Sequence, residues 1–135
     1  MADIFTKKKR SAVMALIKSR GNRRTELRLI ELMKGSQITG WRRGSKLFGR
    51  PDFVFRTQKL AVFVDGCFWH GCPRHGTQPK QNAVFWRRKI LRNMARDRIV
   101  NRTLRARDWT VLRIWEHELS QRSSSRPIAR LRRRL

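Results

Sequence analysis

The chain has 135 residues, enough for one domain with a sizeable core. Its 34 Lys and Arg against nine Asp and Glu give a formal charge of +25, spread along the chain and not confined to a tail. That balance calls for a polyanionic partner, and nucleic acid fits best because neutralised phosphates release counterions; a solubilising surface or a ribosome-binding protein is the plainer alternative. Five Trp and seven Phe exceed what phosphate neutralisation requires and argue against a purely structural basic protein. No apolar stretch approaches the ~20 residues of a membrane span, and the N-terminus lacks the apolar region of a secretory signal. The two cysteines, five apart and next to a histidine, favour metal or free thiols over a disulfide framework. A soluble, cytoplasmic, nucleic-acid-associated domain without a membrane partner is expected.

In chain order, residues 6–20 read as a basic helix with an apolar face of Ala12, Val13, Leu16 and Ile17. Gly21-Asn22 breaks it. Residues 25–33 read as a second helix, with Leu29 and Met33 four apart, stopped by Gly35. Pro51-Asp52-Phe53-Val54-Phe55, the polar turn 56–59 and Leu60-Ala61-Val62-Phe63-Val64 predict a β-hairpin whose second strand is buried on both faces. Residues 71–80 read as a loop. Asn82 is placed to cap a long helix reaching about Arg107, with Trp86, Ile90 and Met94 on one face and a later stripe at Val100 and Leu104. Residues 109–115 alternate enough to form a strand, and strand, helix and strand at this spacing predict a right-handed crossover. From Glu116 the chain reads as a polar, Arg-rich tail, hinged near Ser123-Ser124-Ser125, with a short helix after Pro127.

Chemistry concentrates around Gly66-Cys67-Phe68-Trp69-His70-Gly71-Cys72-Pro73. Asp52, at the mouth of a hairpin strand, is suited to hold Mg²⁺ with substrate phosphate and water; the alternative is a turn aspartate capping its own backbone. His70 is suited to activate water or protonate a leaving oxygen, or else to be a zinc ligand or a surface histidine. Glu26 can orient His70 or a metal-bound water, or be a solvated helix-face residue. Cys67, Cys72, His75 and His117 make a tetrahedral zinc set; two buried thiols and two unrelated histidines are the alternative. Phe68 and Trp69 can wedge between base pairs, with Met14 entering from the other groove, or all three can be core.

Taken together these residues resemble the Vsr family, the very-short-patch-repair DNA mismatch endonucleases. The segments that carry the resemblance are Arg10-Ser11-x-x-Met14, Thr25-Glu26, Gly49-Arg50-Pro51-Asp52-Phe53-Val54-Phe55 and the run from Val62 to Pro73. Pro79-Lys80-x-Asn82, Phe85-Trp86-x-x-Lys89, Asn93-x-x-Arg96-Asp97 and Trp109-x-Val111 follow, ending in Trp115-Glu116-His117-Glu118-Leu119. They span roughly residues 3–120 in unchanged order. The resemblance implies an α/β, restriction-endonuclease-like core, a mixed central sheet flanked by helices, with catalytic Mg²⁺ and structural Zn²⁺. It implies that Asp52 binds the catalytic metal, that His70 transfers the proton and that Glu26 supports it. It further implies that Met14, Phe68 and Trp69 intercalate beside a T·G mismatch, and that one strand is nicked 5′ to the mismatched thymine, which arises by deamination of 5-methylcytosine. The partner is then double-stranded DNA carrying that mismatch, and the protein a bacterial, nucleoid-associated monomer.

The chain departs from the family pattern in places. Val64 stands where well-known members have threonine, a change that preserves a backbone carbonyl contact to the metal. Asp65 replaces a neutral residue or a histidine, and either adds a metal contact or forms a turn. His117 occupies a position that can be cysteine, and the Arg-rich end from Arg126 matches no family motif. Two other functions stay open on sequence grounds: a restriction-type nuclease cutting matched DNA, and a non-catalytic basic nucleic-acid-binding protein.

Overall fold

In the computed structural model the described residues are 25–67, 72, 81–120 and 124–135. The basic helix expected over 6–20 and most of the 71–80 loop lie outside them. The first described element is a helix over 25–35, α1. Leu29 and Met33 are fully buried on its inner face, as their four-residue spacing predicts. Its last helical residue is Gly35, where the sequence predicts the stop. Gln37 adopts a left-handed φ of 58°, and the amides of Gln37 and Ile38 return to the carbonyls of Lys34 and Met33 at 3.1 and 2.8 Å. This is a Schellman closure in which buried Ile38 joins Met33 in the core.

Four strands follow in the order β1 (Trp41–Arg42), β2 (Phe53–Phe55), β3 (Leu60–Asp65) and β4 (Thr110–Trp115). The β1–β2 and β2–β3 pairs are antiparallel and β3–β4 is parallel, so the sheet is mixed, within an α/β architecture consistent with a restriction-endonuclease-like core. The hairpin forms where the sequence predicts it, with Phe55 opposite Leu60 across the turn 56–59. Sequence periodicity gives no sign of β1, which has only two residues. Trp41 belongs there because its ring meets Phe53 edge-on at 5.7 Å.

β3 is buried along its whole length, as a continuously apolar central strand should be. Leu60, Val62 and Val64 join Leu112 and Ile114 of β4 and Leu29 and Met33 of α1 in one cluster. Ala61 and Phe63 face the other way, toward Val100 and Leu104. Those two belong to α2 (Ala83–Ala106), the helix that joins β3 to its parallel neighbour. The late stripe on α2 therefore makes the buried contact, while Trp86, Ile90 and Met94 are only half-buried. Asn82 sits at the cap position but in a left-handed conformation with no side-chain cap bond. The helix closes like α1: Asp108 takes a φ of 66°, and Asp108 and Trp109 amides bond to the carbonyls of Arg105 and Leu104, each at 3.0 Å.

After β4 come a 3-10 turn, Glu116–Leu119, and a helix α3, Ser125–Arg134. The segment that reads as a polar tail buries Pro127, Ile128 and Leu131. Its helix begins before Pro127, because proline is well tolerated in a first turn where its missing N–H has no intrahelical role. Gly49 fixes the approach to the site: its φ is 81°, and a Cβ there would collide with the Val100 side chain, so only glycine lets α2 press against the loop leading to Asp52.

Candidate active site and metal centre

Asp52 precedes β2, one residue beyond the last registered pair of the hairpin, Phe53 opposite Val62. Its Oδ2 accepts a 2.7 Å hydrogen bond from the Val64 amide, which pins the carboxyl against the buried central strand. Glu26, in the first described turn of α1, stands close enough to act on its ionisation. Burial pushes the Asp52 carboxyl up to about 7; the Val64 amide pulls it down, and the nearby Glu26 and the charge of Asp65 raise it further. Two carboxyls that must share a proton when close together are a natural seat for a hard divalent cation, which replaces the proton and neutralises both. The donor set, oxygen only and partly solvent-accessible, fits Mg²⁺.

The guanidinium of Arg43 donates to Glu26 Oε2. The other half of the expected catalytic pair, His70, lies outside the described residues, as do Met14, Phe68, Trp69 and His75. Asp65 forms no turn. It ends β3, is 4% exposed, and its two oxygens accept from Arg113 Nη1 at 2.9 and 3.1 Å. Arg113 stacks 4.2 Å above the Phe63 ring, donates through Nε to Asn101 Oδ1 at 2.7 Å and lies 3.5 Å from Asp97. An arginine in the middle of a strand gives no hint of this: its planar, aromatic-stacking cation is what a buried carboxylate beneath a helix requires.

The second cluster lies just past the ends of the two parallel strands. Because Asp65 is in register with Trp115, Cys67 and His117 leave the sheet at the same edge. His117 Nδ1 is 3.2 Å from Cys67 Sγ and 3.6 Å from Cys72 Sγ, and the three donor atoms all lie within 4.8 Å of one another. Tetrahedral zinc with S and N ligands needs donor separations of roughly 3.5 Å, so these three side chains fit the ion. The expected fourth ligand, His75, is beyond the described residues. Both cysteines are buried and free, and burial leads the causes that push the Cys67 thiol up to about 12. The Cys67 amide donates to Glu116 Oε1 at 2.8 Å and the Cys72 amide to the Cys67 carbonyl at 3.0 Å, which holds the thiols on one side. Glu116 is legible in the sequence only as part of an acidic stretch, since its partner is a backbone amide forty-nine positions away.

A mixed sheet with an acidic pair at its hairpin mouth and a Cys/His cluster at its parallel edge defines a nuclease-like α/β domain. Comparison with known proteins gives the family. The profile described as DNA mismatch endonuclease Vsr matches residues 2–75. The chain is 36% identical to the DNA mismatch endonuclease Vsr of Escherichia coli K12, covering 90% of this chain and 78% of that one. It is 38% identical to the type II nicking enzyme V.NmeDIP of Neisseria meningitidis serogroup C, covering 87% and 80%. A 69-residue stretch is 56% identical to the type II nicking enzyme V.NaeI of Lentzea aerocolonigenes, covering 51% of this chain but only 42% of that protein. The chain belongs to the Vsr family of DNA mismatch endonucleases. It is accordingly a DNA endonuclease, with a Cys/His group able to hold a metal. No helix among the described residues is long and apolar enough to cross a membrane.

Proposed function

We propose that this endonuclease nicks one strand of double-stranded DNA 5′ to the thymine of a T·G mismatch, using Mg²⁺. The observation that carries the reading is the Asp52 carboxyl held by the Val64 amide at 2.7 Å, with the acid of Glu26 near it. Asp52 and the Val64 backbone carbonyl hold the Mg²⁺, with Glu26 beside them. When bound, the ion polarises the scissile phosphate and stabilises the leaving 3′-oxygen. His70 takes the proton from the attacking water, and Glu26 supports the assembly by holding a carboxylate toward it. Arg43, paired with Glu26, keeps that acid oriented.

Specificity comes from separate residues. Met14, Phe68 and Trp69 wedge into the base stack, which opens most cheaply where pairing is already poor. Cys67, Cys72, His117 and His75 hold structural Zn²⁺ at the root of the segment that carries Phe68, Trp69 and His70, so the ion ties recognition and chemistry to the sheet. The enzyme acts as a monomer on DNA in the bacterial cytoplasm. The test is nicking of an end-labelled T·G duplex with and without magnesium. A single nick mapping 5′ to the thymine, lost with EDTA and in Asp52→Ala, is expected. Full activity of Asp52→Ala, or of the wild type in EDTA, contradicts the assignment.

A further inference from the structure

The C-terminal helix α3 has two unlike faces. Inward, Ile128 and Leu131 join Leu29 and Met33 of α1 in the main core. Arg130 is also turned to structural use: Nη1 donates to Glu118 Oε2 at 2.9 Å and Nη2 to the Arg113 carbonyl at 2.8 Å. Arg132 donates to the Ser36 carbonyl at 3.0 Å, which fastens the far end of α3 to the end of α1. Outward, Arg126, Ala129, Arg133 and Arg134 are exposed, and the helix contains no acid. The neighbouring acids are engaged elsewhere, Glu118 by Arg130 and Glu31 by Arg28. Arg126, Arg133 and Arg134 therefore make no ion pair among the described residues.

Placement gives this charge a direction. α3 packs in the cluster on the α1 side of the sheet, and α1 carries Glu26; α2 packs on the opposite side. Ser36, which receives Arg132, lies ten residues along the chain from Glu26, a distance of about 15 Å at 1.5 Å per helical residue. Arg126 and Arg133, seven residues apart, span about 10 Å, the axial rise of about three phosphates of one DNA strand. A solvated, solubilising segment has no need of three buried side chains and two guanidinium ties to hold it still.

We propose that Arg126, Arg133 and Arg134 form a rigid, sequence-blind brace on the phosphate backbone of the duplex beside the cleaved site. The inference rests on the chain being a DNA endonuclease and assigns part of its substrate contact to a helix that matches no motif of the family resemblance. The contact is to phosphates alone, so it strengthens binding to every sequence equally and leaves the choice of mismatch to other residues.

The experiment measures duplex affinity against salt concentration for the full-length protein and for the triple variant Arg126→Gln, Arg133→Gln, Arg134→Gln. A second triple variant on the opposite side of the sheet, Arg88→Gln, Arg98→Gln, Arg102→Gln, controls for loss of net charge. Matched duplex without magnesium is used, so the brace is tested whether or not T·G is the substrate. Loss of three phosphate contacts lowers the slope of log K against log salt by about 2–3 and weakens binding about tenfold or more at 0.1 M salt. The α3 variant is expected to show this, with an unchanged melting temperature, while the α2 variant loses less than half as much slope. An unchanged slope in the α3 variant, or equal losses in the two variants, overturns the proposal. An α3 variant that binds DNA normally but loses affinity for an acidic peptide such as polyglutamate also overturns it, in favour of a protein-docking face.

Discussion

The amide of Val64 donates to Asp52 Oδ2 at 2.7 Å, joining the acid before the hairpin to the most deeply buried strand of the sheet. An amide within a packed strand cannot drift, so the carboxyl it holds is positioned by the whole core. The bond also explains why the run of apolar residues in β3 and the Pro51-Asp52 pair belong to one site. Glu26 reaches the same carboxyl from α1, and the burial that raises Asp52 makes a cation welcome there.

Asp52→Asn separates chemistry from stability. In the folded, metal-free protein the Asp52 carboxyl titrates at about 7 against its ordinary 3.8, so the folded state holds an extra proton between those values. That contribution to stability is present below the lower value and lost as pH rises through the upper one. The metal-free wild type should lose on the order of 2–4 kcal/mol of stability between about pH 4 and about pH 8 through this group alone. The carboxamide introduced by Asp52→Asn can accept from Val64 and donate to Glu26 without titrating. Thermal melts in EDTA should therefore show Asp52→Asn more stable than wild type at pH 8 and about equal at pH 4, while nicking activity disappears.

Zinc removal should act on stability at a different point in the molecule. One zinc per chain is expected by elemental analysis, falling toward none in Cys67→Ser and His117→Ala. Because Cys67 must lose a proton that burial holds up to about 12, zinc affinity should rise with pH. Chelation should lower the melting temperature of the wild type but not of Cys67→Ser. Zinc content unaffected by either substitution contradicts the ligand set.

Arg113→Leu should be among the most damaging single changes away from the metals. It removes the guanidinium that pairs with Asp65, 4% exposed, and breaking such a buried pair costs about 3–5 kcal/mol. Adding Asp65→Asn to that variant should restore much of the loss, since the buried charge is then gone. Urea unfolding of the wild type, the two single variants and the double variant measures the coupling directly.

Leu131→Ala tests whether the C-terminal segment belongs to the core. Leu131 is fully buried, and such truncations remove about 2–5 kcal/mol. Arg133→Gln on the exposed face should change stability by less than about 0.5 kcal/mol. A solvated tail would show neither the loss nor the contrast.

What can be read in advance is what depends on short-range pattern. The hairpin follows from two apolar runs around a polar turn, and β4 from its alternation of Leu112 and Ile114 with residues of the opposite face. The Cys67–His117 approach follows from placing two strands side by side in parallel. The resemblance supplies the mixed sheet and the roles expected at Asp52 and Glu26, though the bond from the Val64 amide to Asp52 needs three-dimensional placement. Other features are hidden because their causes are tertiary. Gln37 and Asp108 end helices in a conformation usually given to glycine, since the packed residues behind them, Ile38 and Trp109, fix the closing turn. Ile128 and Leu131 are masked by the arginines around them, and β1 is too short to leave a period. Arg113 looks like one more surface cation in a chain of 34 Lys and Arg, and only its partners Asp65, Asn101 and Phe63 reveal a buried role.

The central claim is a mismatch-directed nick, and single-turnover cleavage of two duplexes differing only in one base pair tests it most directly. With saturating enzyme and magnesium, the T·G duplex should be nicked at least about a hundredfold faster than the matched C·G duplex, a difference of roughly 3 kcal/mol in the transition state. The nick should fall only in the strand bearing the thymine. Equal rates on both duplexes would contradict the account and make the protein a nuclease of matched DNA.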